Sequence, residues 1–195
     1  MITLLTLKTM FNKLVLLLFL VVVVPASAEV VTMEKHGNLQ IVLPPGWQLK
    51  SEKIKSSGYT LTITSTTSTN SNCLISILFP PMPMSLNKAG IEEKFKASCS
   101  RFVPDSVEGK IDLKEFKLAE GYGVYASFTD ASLVGKPIQA GDYKVMTTGL
   151  LILNEKIMAI ATVFTNDANG PEQKLLLKTV SSMKLDHAKS DQAKR

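Results

Sequence analysis

Two cysteines, two histidines and 17 Asp and Glu side chains are the groups available for chemistry in this 195-residue chain. Cys73 and Cys99 stand 26 positions apart with no CxxC spacing, so neither a dithiol redox motif nor a four-thiolate zinc set is present. Cys73 shares strand parity with Ile75 and Ile77, while Cys99 lies on the apolar stripe of the segment that follows. A helix packed back on its preceding strand brings such a pair together. A bond between them closes a loop of about 27 residues and stabilises by about 3–4 kcal/mol on the chain-entropy argument. The pair therefore reads as a structural disulfide, with two buried free thiols as the alternative.

His36 falls in turn chemistry and His187 in a polar tail, so both read as surface histidines. A Ser-His-Asp site needs a positioned base, and only His36 is placed to supply one. No GxSxG, HExxH, Walker or GxGxxG pattern occurs. Gly121-Tyr122-Gly123 reads as a tight turn. Glu92-Glu93, Asp105 and Glu108 are acid neighbours on a helix surface and a loop; sugar hydrolysis needs two carboxylates that face each other, which spacing alone does not supply. The reading is a non-enzyme with no cofactor and no metal site.

Two local features suit contact better than catalysis. Pro80-Pro81-Met82-Pro83-Met84 cannot join a β-ladder and forms an extended, polyproline-like connection. Its two methionines offer a preformed apolar contact for a partner. Trp47 follows the rigid Pro44-Pro45-Gly46 turn; it plugs the end of a core or stacks on a ligand.

Charge points to the compartment. The formal net charge is +5. The first 28 residues hold Lys8, Lys13 and no acid, then the apolar run Leu14–Val24, Pro25 and Ala26-Ser27-Ala28. That order is an export signal with cleavage between Ala28 and Glu29. Eleven helical residues reach only about 16 Å, too short to span a hydrocarbon core of about 30 Å. Without residues 1–28 the chain carries 20 basic and 17 acidic side chains, a net +3. Such a mixed surface is no nucleic-acid footprint. The protein is read as exported, periplasmic or secreted, with no stable membrane anchor after cleavage.

These groups are positioned by a β-rich frame. Residues 30–43 read as a hairpin, 59–64 and 73–79 as strands, and Lys50–Ser57 as a polar connection. Ile91, Phe95, Cys99 and Phe102 form one stripe of an amphipathic helix over 87–101, with Ser85 as its cap. Residues 109–118 and 124–128 alternate as strands. The apolar runs at 143–153 and 156–165, joined at Asn154-Glu155, predict a central hairpin covered on both faces. Pro171 to Met183 predicts the last helix. The absence of βαβ alternation argues for α+β: an antiparallel sheet with amphipathic helices packed on it. Residues 1–28 are the signal, 29–185 one domain and 186–195 a polar tail.

Leu43-Pro44-Pro45-Gly46-Trp47 resembles the LPxGW motif that opens PsbP-like proteins. The mid-chain helix, the long hairpin and a last helix running into Ser181-Ser182-Met183-Lys184-Leu185 are similar to that fold too. The resemblance covers most of 30–185 and implies an α/β/α sandwich. PsbP shares that fold with the Ran-binding Mog factors and small exported bacterial proteins. No plastid transit-like leader precedes it here. It implies a non-enzymatic accessory or binding module and transfers no functional residue. The partner is then another envelope or secreted protein; the alternative is a carrier of a small apolar ligand or lipid between sheet and helix. Oligomeric state has no signature in the sequence.

Overall fold

The computed structural model describes residues 26–54, 58–84 and 87–186. The chain runs β1 (Ser27–Met33), β2 (Gly37–Leu43), β3 (Trp47–Ile54), β4 (Gly58–Ser65), β5 (Asn72–Leu78), α1 (Lys88–Cys99), β6 (Lys114–Glu115), β7 (Tyr122–Thr129), β8 (Val145–Asn154), β9 (Ile157–Thr165), α2 (Pro171–Ser181) and β10 (Lys184–Asp186). A seven-stranded antiparallel sheet has the order β3-β4-β5-β9-β8-β7-β6. A second, three-stranded sheet has the order β1-β2-β10. The fold is α+β, with α1 on one face of the large sheet and α2 plus the small sheet on the other.

Strand alternation divides the interior in two. Leu61 and Ile63 of β4, Cys73, Ile75 and Ile77 of β5, Leu151 of β8 and Ala159 of β9 point to one face. There they meet Leu39 and Ile41 of the small sheet and Leu176 and Val180 of α2, all fully buried. Each such aliphatic side chain contributes roughly 1.5–3 kcal/mol by leaving water. Thr147 and Thr165 interrupt this apolar layer, and Gln173 of α2 answers both. Its Nε2 donates to Thr147 Oγ1 at 2.6 Å and its Oε1 accepts from Thr165 Oγ1 at 3.0 Å. A buried amide is tolerated because it is bonded at both ends, and that bonding sets where α2 sits on the sheet.

The opposite face has the smaller core. Ile91, Phe95 and Cys99, spaced by four, cover Tyr122, Val124, Ala126 and Phe128 of β7 and Ile152 of β8. Tyr122 donates to Glu92 at 2.6 Å, and Lys88 lies 4.5 Å from the Tyr122 ring centroid. Burial and that carboxylate both push the Tyr122 phenol up.

The cysteine reading is corrected here. Cys73 and Cys99 are both free thiols and both buried. Cys73 belongs to the core beneath α2 and Cys99 to the core beneath α1. The helix does return to the sheet, but over β7 and β8, and on the face that Cys73 turns away from. Sheet thickness therefore separates the sulfurs.

Other expectations shift as well. Residues 50–54, expected in the polar connection Lys50–Ser57, belong to the strand Trp47–Ile54, and residues 55–57 lie outside the described residues. As the sheet's edge that strand meets water, so Lys50, Glu52 and Lys53 are compatible with it and guard against further pairing. Residues 109–118 yield only the two-residue β6. Asn87, not Ser85, stands at the N-cap of α1; Ser85 lies outside the described residues. The predicted central hairpin forms as β8 and β9, yet its α1-side face is only partly covered: Ile160 of β9 is 40% exposed.

Candidate functional site

The unfinished face carries the site. Side chains on the α1 side of β3, β4 and β5 include Thr60, Thr62 and Thr64, and Leu74 at 39% exposure. Half-exposed threonines are a natural choice for a pleated surface with water on one side. α1 covers the sheet over β7 and β8 and stops short of this region.

Along that boundary an open groove of about 530 Å³ is walled by the loop after β5 and by α1, and floored by Leu150, Ile152 and Met158. Pro80, Pro81, Met82, Pro83 and Met84 all line it, so the five residues singled out from sequence come together in one wall. Met82 is the most exposed large apolar side chain in the protein's described part, at 76%. Met84 turns inward against the smaller core. Its backbone N–H donates to Glu155 O at 2.7 Å, pinning the loop to the β8–β9 turn. Asn87, Gly90, Ile91 and Lys94 of α1 and its cap form the opposite wall. Proline fixes φ and methionine adapts its shape, so this wall is rigid in path and soft in surface.

The remaining candidates lie elsewhere. Trp47 opens β3, partly buried against the larger core, and lines neither this groove nor the aromatic cavity described below. Ala28 and Glu29 pair with Val42 and Ile41 in β1, exposed at the start of that strand. His36 is not a freely solvated side chain: its ring stacks on Phe79, centroids 3.7 Å apart and planes 5° from parallel. His187 and the 187–195 tail lie outside the described residues. Glu92 is engaged by Tyr122, and Glu108 accepts from Thr129 N and Oγ1, both at 2.8 Å. Those acids tie elements together.

Burial pushes the Cys73 thiol up to about 12 and raises Cys99 as well, the latter opposed by Ser98 and Arg101. A thiol kept protonated is a poor nucleophile and a poor ligand. Sequence reasoning missed a cluster of aromatics at the far end of α1, where Phe102, Phe128, Tyr143 and Phe164 meet. Phe128 and Phe164 carried a signal in their outward parity on β7 and β9. Phe102 carried one as the last member of the Ile91/Phe95/Cys99 stripe and ends the 3-10 turn that follows α1, whereas Tyr143, expected at the start of a strand, stands in the loop before β8.

No protein-family model and no curated protein matches the chain. Among solved structures it is similar to cyanobacterial PsbP (CyanoP) from Synechocystis sp. PCC 6803, with a TM-score of 0.51 and 16% identity. The match covers 84% of this chain and 95% of that one. At this identity the likeness speaks for the fold alone. The fold anticipated from the Pro-Gly-Trp motif and the two helices is thus PsbP-like.

Proposed function

We propose that the protein is an exported, non-enzymatic accessory module that docks an apolar segment of another envelope or secreted protein in the groove beside α1. The observation that carries this reading is the Pro80–Met84 wall, with Met82 presented to solvent across from Ile91 and Lys94. A rigid apolar wall loses little entropy on binding, and methionine adapts to varied side chains. Lys94 on the rim favours a carboxylate beside the apolar side chain that enters. The mixed net charge of +3 without the leader speaks against a nucleic-acid partner.

Export rests on the leader. Cleavage after Ala28 removes two exposed residues of β1 and leaves the buried Val31 and Met33 in place. N-terminal sequencing of protein recovered from the envelope or medium tests this; a chain still beginning at Met1 or Met10 overturns it. Docking is tested with a photo-crosslinking residue at Met82 and a control at Lys50 on the β3 edge. The expected result is one crosslinked species at Met82 alone, lost in Lys94→Glu. Equal labelling at both positions overturns the docking reading. A carrier of a small apolar ligand would use the same groove, since Leu176 and Val180 fill the interface under α2. Organic extraction of the purified protein separates the two readings, because bound lipid favours the carrier.

A further inference from the structure

Sulfur is distributed unevenly over the fold. Cys73, Met33 and Met183 are sealed in the core beneath α2, and Cys99 in the core beneath α1. Met84 and Met158 are half-buried against the smaller core and line the Pro80–Met84 groove. Met146 is half-buried too, on the wall of a second open cavity, of about 470 Å³, at the C-terminal end of α1. Among the described sulfur-bearing residues Met82 alone stands in water.

The loop holds it there. Pro81 and Pro83 flank Met82 and fix φ on both sides. The Met84 N–H is tied to Glu155 O at 2.7 Å. At the other end the Phe79 ring stacks on His36 and meets Tyr59 edge-on, with centroids 6.1 Å apart. A loop anchored at both ends keeps the Met82 side chain outside the core.

An oxidant ordinarily finds an exposed cysteine thiolate first, because thiolate character and exposure set susceptibility. Neither condition is met here. Both thiols are sealed, and burial keeps Cys73 protonated up to about 12 and raises Cys99 as well. A thioether has no proton to lose, so its reactivity follows access, and access belongs to Met82. With hydrogen peroxide the Met82 sulfur lone pair attacks one peroxide oxygen. An S–O bond forms, the O–O bond breaks, and the sulfur is oxidised by two electrons while the peroxide is reduced to water. The product is a polar, chiral sulfoxide in place of an adaptable apolar side chain. Leu150, Ile152 and Met158 on the groove floor have no side-chain donor for its oxygen. An apolar segment seated over it would therefore bury an unpaired acceptor.

We propose that Met82 is an oxidation site at which hydrogen peroxide switches the groove from receptive to closed, while both thiols and the core methionines stay reduced. The switch rests on the docking reading of the same groove. The proposed export supports it, since that route takes the chain out of the reducing cytosol.

The test treats the folded protein, as purified from cells, with dilute hydrogen peroxide and maps added oxygen by peptide mass spectrometry. Met82 is expected to react first, at least about tenfold faster than Met33 or Met183, with Cys73 and Cys99 unmodified. Thermal unfolding should not change at that stage, because Met82 is no part of either core. A photo-crosslinking residue at Asn87, on the opposite wall, reads the groove in the parent, Met82→Leu and Met82→Gln. Crosslinking should fall about fivefold or more in the peroxide-treated parent and in untreated Met82→Gln, as for an acceptor buried without a donor. Met82→Leu should crosslink equally before and after peroxide. Oxidation of core methionines as fast as Met82, reaction of either cysteine ahead of it, unchanged crosslinking once Met82 is oxidised, or peroxide sensitivity retained in Met82→Leu overturns the proposal. Absence of any crosslink from Asn87 before peroxide instead removes the docking reading, and the switch with it, whatever the order of oxidation.

Discussion

The two faces of the large sheet are made from the same strands and have opposite characters. Beneath α2 and the small sheet, alternate residues of β4, β5, β8 and β9 are sealed to near-zero exposure. On the reverse, the intervening residues meet α1 over β7 and β8 only, and Leu74 and Ile160 remain in water. A strand delivers equal numbers of side chains to both faces, so the difference comes from what is laid on top. The sealed face holds the fold. The other retains a rigid proline-rich loop and two open cavities, features that suit a binding surface.

Neighbouring residues of β5 give the widest separation of the two faces. Ile75→Ala should cost about 3–4 kcal/mol by emptying a tightly packed site, whereas Leu74→Ala one residue away should cost under about 1 kcal/mol. Urea titration of both variants measures the difference. Similar losses would show that the outward face is covered in solution. Gly149 tests packing density on the sealed side. A Cβ there would lie 2.5 Å from Phe116 Cε2, so Gly149→Ala should destabilise by about 2–3 kcal/mol, as overpacking does. Phe116→Leu is expected to recover part of that loss by vacating the space.

Gln173 probes whether α2 is positioned by polar bonds or by apolar packing alone. Gln173→Leu removes one partner from each of Thr147 and Thr165, which keep Ser127 Oγ and Asp167 O, and should cost about 1 kcal/mol, read by thermal unfolding. A neutral outcome would mean that packing suffices. The last test is the pH response of the sealed thiol, which leaves stability near neutral pH unchanged. In the unfolded chain Cys73 loses its proton near about pH 8.5, while in the fold burial retains it to about 12. The neutral thiol's contribution is therefore whole below the lower value and falls as pH rises between the two, by at most about 1.4 kcal/mol per pH unit. Cys73→Ala should show a shallower loss of stability than the parent between about pH 9 and 10.5. Equal slopes would place Cys73 in contact with water. Intact mass before and after denaturing alkylation should show two free thiols.

Much of the frame was legible because burial imposes a period. Leu61/Ile63, Ile75/Ile77 and Ile91/Phe95/Cys99 announced two strands and a helix from spacing alone, and Pro171 and Glu172 marked where α2 begins. β3 was harder to see: edge strands tolerate charge, so Lys50, Glu52 and Lys53 masked it as a connection. The Pro80–Met84 wall was recognisable, since three prolines in four residues leave the backbone few alternatives. The aromatic cavity was not, because periodicity sets Phe102 on a helix and Phe128 and Phe164 on strands without saying that they meet, and Tyr143 stands in the loop before β8.

The sequence alone determined which residues alternate, where helices begin, and that Cys73 and Cys99 would each be buried. Only the tertiary structure decided that they would be buried apart. Periodicity states that a side chain faces inward but not which side of the sheet is inward for it. That depends on whether a helix returns above or below, a choice made by the whole set of packed faces together. The same choice left one face of the central strands open, and so placed the candidate sites.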